Sequence, residues 1–183
     1  MDLKRIRIIA FGQFEQQMLD RIQKNIALIF DVDVVIEQNL MDLSEHYDPE
    51  RLQYNANSLL ALVNSLHTNQ YLRTIGLFRV DIFIPILTFI FGQATFEGTC
   101  GIGSLYRLRN EKYGLPRNDE LLYERFRKVI IHELGHTFGL IHCQTPSCVM
   151  RSATYVEDID QKKHRFCTHY EENQRHFLNK TNF

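Results

Sequence analysis

Residues Ile131 to His142 read I-H-E-L-G-H-T-F-G-L-I-H. His132 and His136 stand four apart, so on an α-helix their imidazoles lie one turn above the other on a single face. Two nitrogen donors at that spacing can converge on one zinc ion. Glu133 follows the first of them and points about 100° away around the helix. That places it to take a proton from a water at the open metal position, whose pKa zinc brings toward ~7. His142 tests the scheme, because in a continuous helix it would be rotated about 240° from His136. Gly139 removes the difficulty: glycine accepts the left-handed conformation that ends helices, so the chain can turn there and return His142 as a third ligand. Three histidines leave one position for water or substrate, as a catalytic zinc requires. A bare H-E-x-x-H occurs by chance on ordinary amphipathic helices; the glycine and third histidine at these offsets separate this chain from that case.

The cysteines suggest a second metal. Cys143 and Cys148 flank a short loop containing Pro146, a suitable knuckle for two thiolates, and Cys167 can return to supply a third. An irregular segment gains from such a closure because metal-binding energy becomes folding energy. Since Cys143 adjoins His142, the second ion would also hold the third histidine in place. The competing reading is a set of reduced, buried thiols or a disulfide pair. Cys100 lies apart, in a glycine-rich strand region, and reads as a buried thiol.

These residues need a frame. Leu122, Phe126, Ile130, Leu134 and Phe138 form an i, i+4 apolar stripe on a helix running from Asp119, its expected cap, to about Phe138, with the histidines on nearly the opposite side. Ahead of it, Arg5 to Ala10 and Asp31 to Glu37 are short Ile- and Val-rich runs suited to buried strands. Phe14 to Phe30 between them carries a helical rhythm, so the opening reads as a right-handed strand–helix–strand crossover. Asp48-Pro49 is expected to open a second helix, Glu50 to Leu66. Thr74 to Ile84, Phe89 to Phe96 and Ser104 to Leu108 are expected strands, and Glu171 to Leu178 a short C-terminal helix. The fold class is α/β: a single compact domain over 1–183 with a small mixed twisted sheet. Residues 1–118 supply mainly sheet and supporting helices; 119–183 supply the active-site helix and an irregular zinc-stapled segment.

Composition narrows the partners. The 183 residues carry 21 Lys+Arg against 22 Asp+Glu, a net charge of -1, which disfavours phosphate-driven nucleic-acid binding. The greasiest run, Ile82 to Phe91, is about half a bilayer span and contains Pro85. The opening residues lack the pattern of a secretory signal. A cytoplasmic protein without nucleic-acid or membrane partners is expected, with a monomer as its working form.

The histidine motif followed by Met150 resembles the metzincin clan of zinc peptidases. The run Cys143-Gln144-Thr145-Pro146-Ser147-Cys148-Val149-Met150 is similar to the archaemetzincin family, in which HExxHxxGxxHC is followed by four residues, a cysteine, one residue and a methionine, then a C-x-x-C pair. The specific motifs cover Ile131 to about Tyr170. The resemblance implies His132, His136 and His142 as catalytic zinc ligands, Glu133 as general base, Met150 in a tight turn beneath the metal, and a second, structural zinc, two Zn2+ per chain in all. This chain departs from the family at the final cysteine, where Cys167-Thr168-His169-Tyr170 ends in tyrosine. His169 is the favoured replacement, giving three cysteines and one histidine; His164, His176 and water are alternatives.

The implied function is peptide-bond hydrolysis, with an extended substrate beside an exposed strand edge for which Phe89 to Leu108 is the candidate rim. Some metzincins place an oxyanion-stabilising tyrosine where this chain has Ser152, leaving Tyr155 and Arg151 as candidates. The rival reading is a two-zinc protein-binding scaffold with little turnover; retention of Glu133 argues for chemistry.

Overall fold

In the computed structural model the described residues are 5–171. A five-stranded sheet, ordered β2-β1-β5-β8-β7, forms the frame. Its strands are β1 (Arg5–Phe11), β2 (Asp33–Asn39), β5 (Arg73–Phe78), β7 (Gly92–Ala94) and β8 (Cys100–Ser104). β1 pairs in parallel with both β2 and β5, β5 pairs in parallel with β8, and β7 alone runs antiparallel, on an edge. A second sheet joins β3 (Tyr47–Asp48), β4 (Gln53–Asn55) and β6 (Ile82–Phe83).

Alternation along β1 assigns the layers. Ile6, Ile8 and Ala10 face α1 (Gln16–Phe30) and α3 (Asp119–Thr137), while Ile9 and Phe11 face α2 (Ala56–Leu66). α1 holds the sheet through Leu19, Ile22, Ile26 and Phe30, each buried side chain contributing roughly 1.5–3 kcal/mol. α4 (Val156–Gln161) packs beyond α3. No described helix is long and apolar enough to cross a membrane.

Several elements differ from their sequence expectation for local reasons. The run Thr74 to Ile84 splits, because Asp81 accepts two hydrogen bonds from the Arg107 guanidinium while its carbonyl takes the Tyr54 amide, which hands Ile82–Phe83 to the other sheet. Asp48-Pro49 opens a turn rather than a helix: the Asp48 carboxylate accepts the Glu50 and Arg51 amides, and Leu52 takes a positive φ of 56°. α2 begins at Ala56, where the Asn55 side chain accepts the Asn57 and Ser58 amides. Phe89 to Phe96 contributes only β7, since the chain turns back through a Gly98 to Thr95 hydrogen bond. Past Ser104 the expected strand becomes a 3-10 turn, Tyr106–Leu108. The cap of α3 is Asn118, whose side chain accepts the Leu121 amide; Asp119 and Glu120 instead stand in the first turn. Of the expected helix Glu171 to Leu178 only Glu171 is among the described residues; the remainder, with His176, lies outside them.

α3 is covered on more sides than its apolar stripe implies. Arg125, Lys128, His132 and Glu133 are all buried. The reason is the return of the chain after the helix. Arg125 donates to both Asp160 carboxylate oxygens, at 2.7 and 2.6 Å, and to the Leu108 carbonyl and the Asn110 side chain. Phe166 packs edge-on against Phe30 at 5.8 Å. Replacing Asp160 by alanine leaves the Arg125 charge buried without its carboxylate, and should lower unfolding free energy by roughly 3 kcal/mol. Urea denaturation of the two proteins checks this.

Candidate active site

α3 delivers His132, Glu133 and His136 from consecutive turns. It ends by a hydrogen-bonding pattern that only a left-handed residue can complete: the Gly139 amide donates to the His136 carbonyl and the Leu140 amide to the Gly135 carbonyl, both at 3.0 Å. Gly139 has φ +82°. The turn reverses the chain and brings His142 back over the helix, with ring centroids 5.3 Å from His132 and 4.9 Å from His136. One ring nitrogen from each histidine lies within 4.8 Å of the others.

The main chain sets the tautomers. His132 Nδ1 lies 2.9 Å from the Val149 carbonyl and His136 Nδ1 2.8 Å from the Leu140 carbonyl. A carbonyl only accepts, so both Nδ1 atoms carry the proton and both neutral rings present bare Nε2 lone pairs. Those Nε2 atoms face each other at 3.0 Å. Burial holds His132 well below the ordinary histidine range and also lowers His136 and His142, so the rings stay neutral. Converging lone pairs repel unless a cation lies between them. This donor set fits zinc, with the outer hydrogen bonds expected of metal-binding histidines.

Glu133 is buried beside the three histidines; burial raises its carboxyl to about 8, partly opposed by the Lys162 ammonium. It faces a cleft of about 510 Å³ lined by the segment Leu87 to Ala94, by α3 and by Ser152 to Tyr155. Of the expected rim Phe89 to Leu108, only the part through β7 borders this cleft. Met150 is fully buried beneath the histidines' helix, and its carbonyl accepts the Cys143 amide at 3.0 Å. Tyr155 lines the cleft while remaining exposed; Arg151 is not among the lining residues.

Cys143, Cys148 and Cys167 meet in a second cluster, with their sulfurs within 4.8 Å of one another and Cys143 Sγ 3.8 Å from Cys167 Sγ. Burial tends to raise the Cys143 thiol, but hydrogen bonds from Thr145 and the neighbouring thiols outweigh it and hold the group below its usual range. Cys148 is pushed up to about 12, first by burial. Three thiolates this close need a cation, and a soft divalent ion suits them. The structure does not bring His169 to this cluster: it is exposed, its ring 5.4 Å from that of Tyr170. His164 lies against Arg127 instead, at 2.9 Å. Tyr170 is buried near the thiols, and burial with their charge raises its phenol, which leaves it protonated and a poor ligand. Cys100 is a buried thiol under α2.

Two buried lysines at the cleft escaped the sequence reading. Lys128 stands four residues before His132 and is therefore on the same helix face, a visible signal. Lys162 sits in irregular chain with no periodic signal at all. Gly139→Ala should strain the reversal and displace His142, weakening zinc retention about tenfold in a chelator competition, with α3 helicity unchanged by circular dichroism.

The model of Peptidase family M54 matches residues 3–175. The archaemetzincin of Methanocaldococcus jannaschii is 35% identical over 166 residues, 90% of this chain and 89% of the relative. That of Thermococcus kodakarensis is 39% identical over 126 residues, 68% of each chain. The crystal structure of archaemetzincin from Methanopyrus kandleri superimposes with a TM-score of 0.82 at 30% identity, covering 96% of this chain and 95% of that one. The converging histidines and the extent of these matches lead to one conclusion: this chain belongs to peptidase family M54, the archaemetzincin family of zinc metallopeptidases.

Proposed function

We propose that the protein hydrolyses peptide bonds with His132, His136 and His142 holding a catalytic zinc and Glu133 moving the proton. The observation that carries this reading is the 3.0 Å approach of two Nε2 lone pairs beside a buried carboxyl, with both Nδ1 positions already committed. A zinc ion at such a site supplies Lewis acidity toward a carbonyl and toward water. Glu133 takes the proton of the attacking water and delivers it to the leaving amine. Burial has raised its basicity above that of a solvated carboxylate, which suits it to this work near neutral pH. The open edge of β7 offers unpaired main-chain groups to an extended substrate. Gly92 on that strand lets the edge approach the base: a Cβ built there would lie 2.7 Å from Glu133 Oε1.

Cys143, Cys148 and Cys167 hold a second, structural zinc in this reading, with His169 or water as its fourth ligand.

Metal analysis should find about two zinc ions per chain, falling to about one on His136→Ala or Cys148→Ala. His169→Ala should loosen the second ion; unchanged retention would assign its fourth position to water or another residue. Glu133→Gln should keep both ions and slow cleavage of a mixed peptide library by about 10²–10⁴-fold. Equal or absent cleavage in both proteins at full metal occupancy would turn the conclusion toward a protein-binding scaffold. Gly92→Ala should cost roughly 10²-fold in rate by misplacing Glu133, with zinc content unchanged.

A further inference from the structure

Lys128 and Lys162 line the active-site cleft, 9% and 6% exposed. The Lys128 ammonium donates to the Ile159 carbonyl at 3.0 Å. That of Lys162 donates to the Val149 carbonyl at 3.4 Å and to the Arg151 carbonyl. An ammonium has three N–H donors, so main-chain carbonyls leave each lysine with capacity to spare. Burial pushes both ammonium groups down from their usual range, Lys162 to about 8. A buried cation of this kind normally has a carboxylate partner.

The carboxylates near them are committed elsewhere. Asp160 is held by both arms of Arg125, and Glu124 by Arg127. Asp158 accepts the Thr154 and Tyr155 amides at 2.9 and 2.8 Å. Arg125 and Arg127 add positive charge at Lys128. The acid that lines the cleft with them is Glu133, whose carboxyl belongs to the proton transfer. Beside the lysines the wall is small and uncharged: Val129, Ser152, Ala153 and Thr154. Because Lys128 lies about one helical turn before His132, its end of this positive floor sits about 6 Å along the helix from the first metal ligand. That is the reach of a side chain or chain end next to a bond held at the histidines.

We propose that Lys128 and Lys162 form a carboxylate-binding subsite next to the scissile bond, which selects peptides carrying a negative charge on the residue adjoining the cut. The inference rests on the peptidase reading above and adds its substrate class. Two sources supply the same group: the side chain of Asp or Glu, or the free α-carboxylate of a peptide ending there.

The test uses zinc-loaded protein and two peptide pairs, one differing only in Glu against Gln after the scissile bond, the other in a free against an amidated C-terminus at that residue. At least one pair should show about tenfold or greater preference in kcat/KM for the charged member, the scale of one charge-assisted hydrogen bond; which pair responds identifies the source. Lys128→Met and Lys162→Met, close in volume, should bring that ratio toward one, a readout that a general loss of rate does not mimic. The same labelled peptides, bound to zinc-loaded Glu133→Gln and followed by fluorescence anisotropy, should show the same preference without turnover. Selective binding with no cleavage by the wild type would sink the peptidase reading alone. Ratios near one for both pairs in the wild-type protein, whatever the variants do, overturn the subsite.

Discussion

The site depends on the repulsion between two imidazole lone pairs held 3.0 Å apart on one helical face. Neither ring can turn away from the other, because each has its second nitrogen tied to a main-chain carbonyl. Neither protonates readily, because burial opposes the charge. A cation is the one occupant that turns this conflict into attraction, and it can do so only if a third donor closes the set. The reversal at Gly139 supplies that donor and, through Leu140, one of the two anchoring carbonyls. A single turn thus completes the donor set and aims one of its members.

The irregular chain after α3 is held by polar contacts and a cluster of three cysteines more than by a second layer of regular structure. Val149 and Met150 are fully buried beneath the histidines, and the Cys143 amide closes on the Met150 carbonyl. The thiol cluster joins residues on both sides of this segment, and Arg125 reaches across from α3 to anchor α4. His142 and Cys143 are consecutive, so the histidine and cysteine clusters share one stretch of backbone and neither can move alone.

The sequence was most legible where chemistry demands particular atoms at particular spacings. His132, His136 and Gly139 announce themselves because helix periodicity and left-handed backbone leave few alternatives. The three cysteines were legible as a group because thiols are rare and clustered. The opening strand–helix–strand was readable from apolar rhythm alone. Element edges were harder: Asp48 and Asn55 each accept backbone amides, and Asp48 builds a turn where Asn55 starts a helix. Long-range polar contacts were invisible, so Asp81 could break a strand through Arg107, 26 residues further along the chain. Lys162 was hidden for the same reason, since its partners are carbonyls of Val149 and Arg151 that no residue type encodes.

That last feature bears on how the site tolerates drift. The groups that orient His132, His136, Lys128 and Lys162 are the carbonyls of Val149, Leu140, Ile159, and Val149 with Arg151. Every amino acid carries a carbonyl, so exchanging those side chains cannot delete the acceptor. Inserting or removing one residue between Leu140 and Ile159 would slide a different peptide unit into place and undo several orientations together. The metal centre is therefore forgiving of spelling and intolerant of spacing, and descendants should preserve the length of this segment more strictly than its letters.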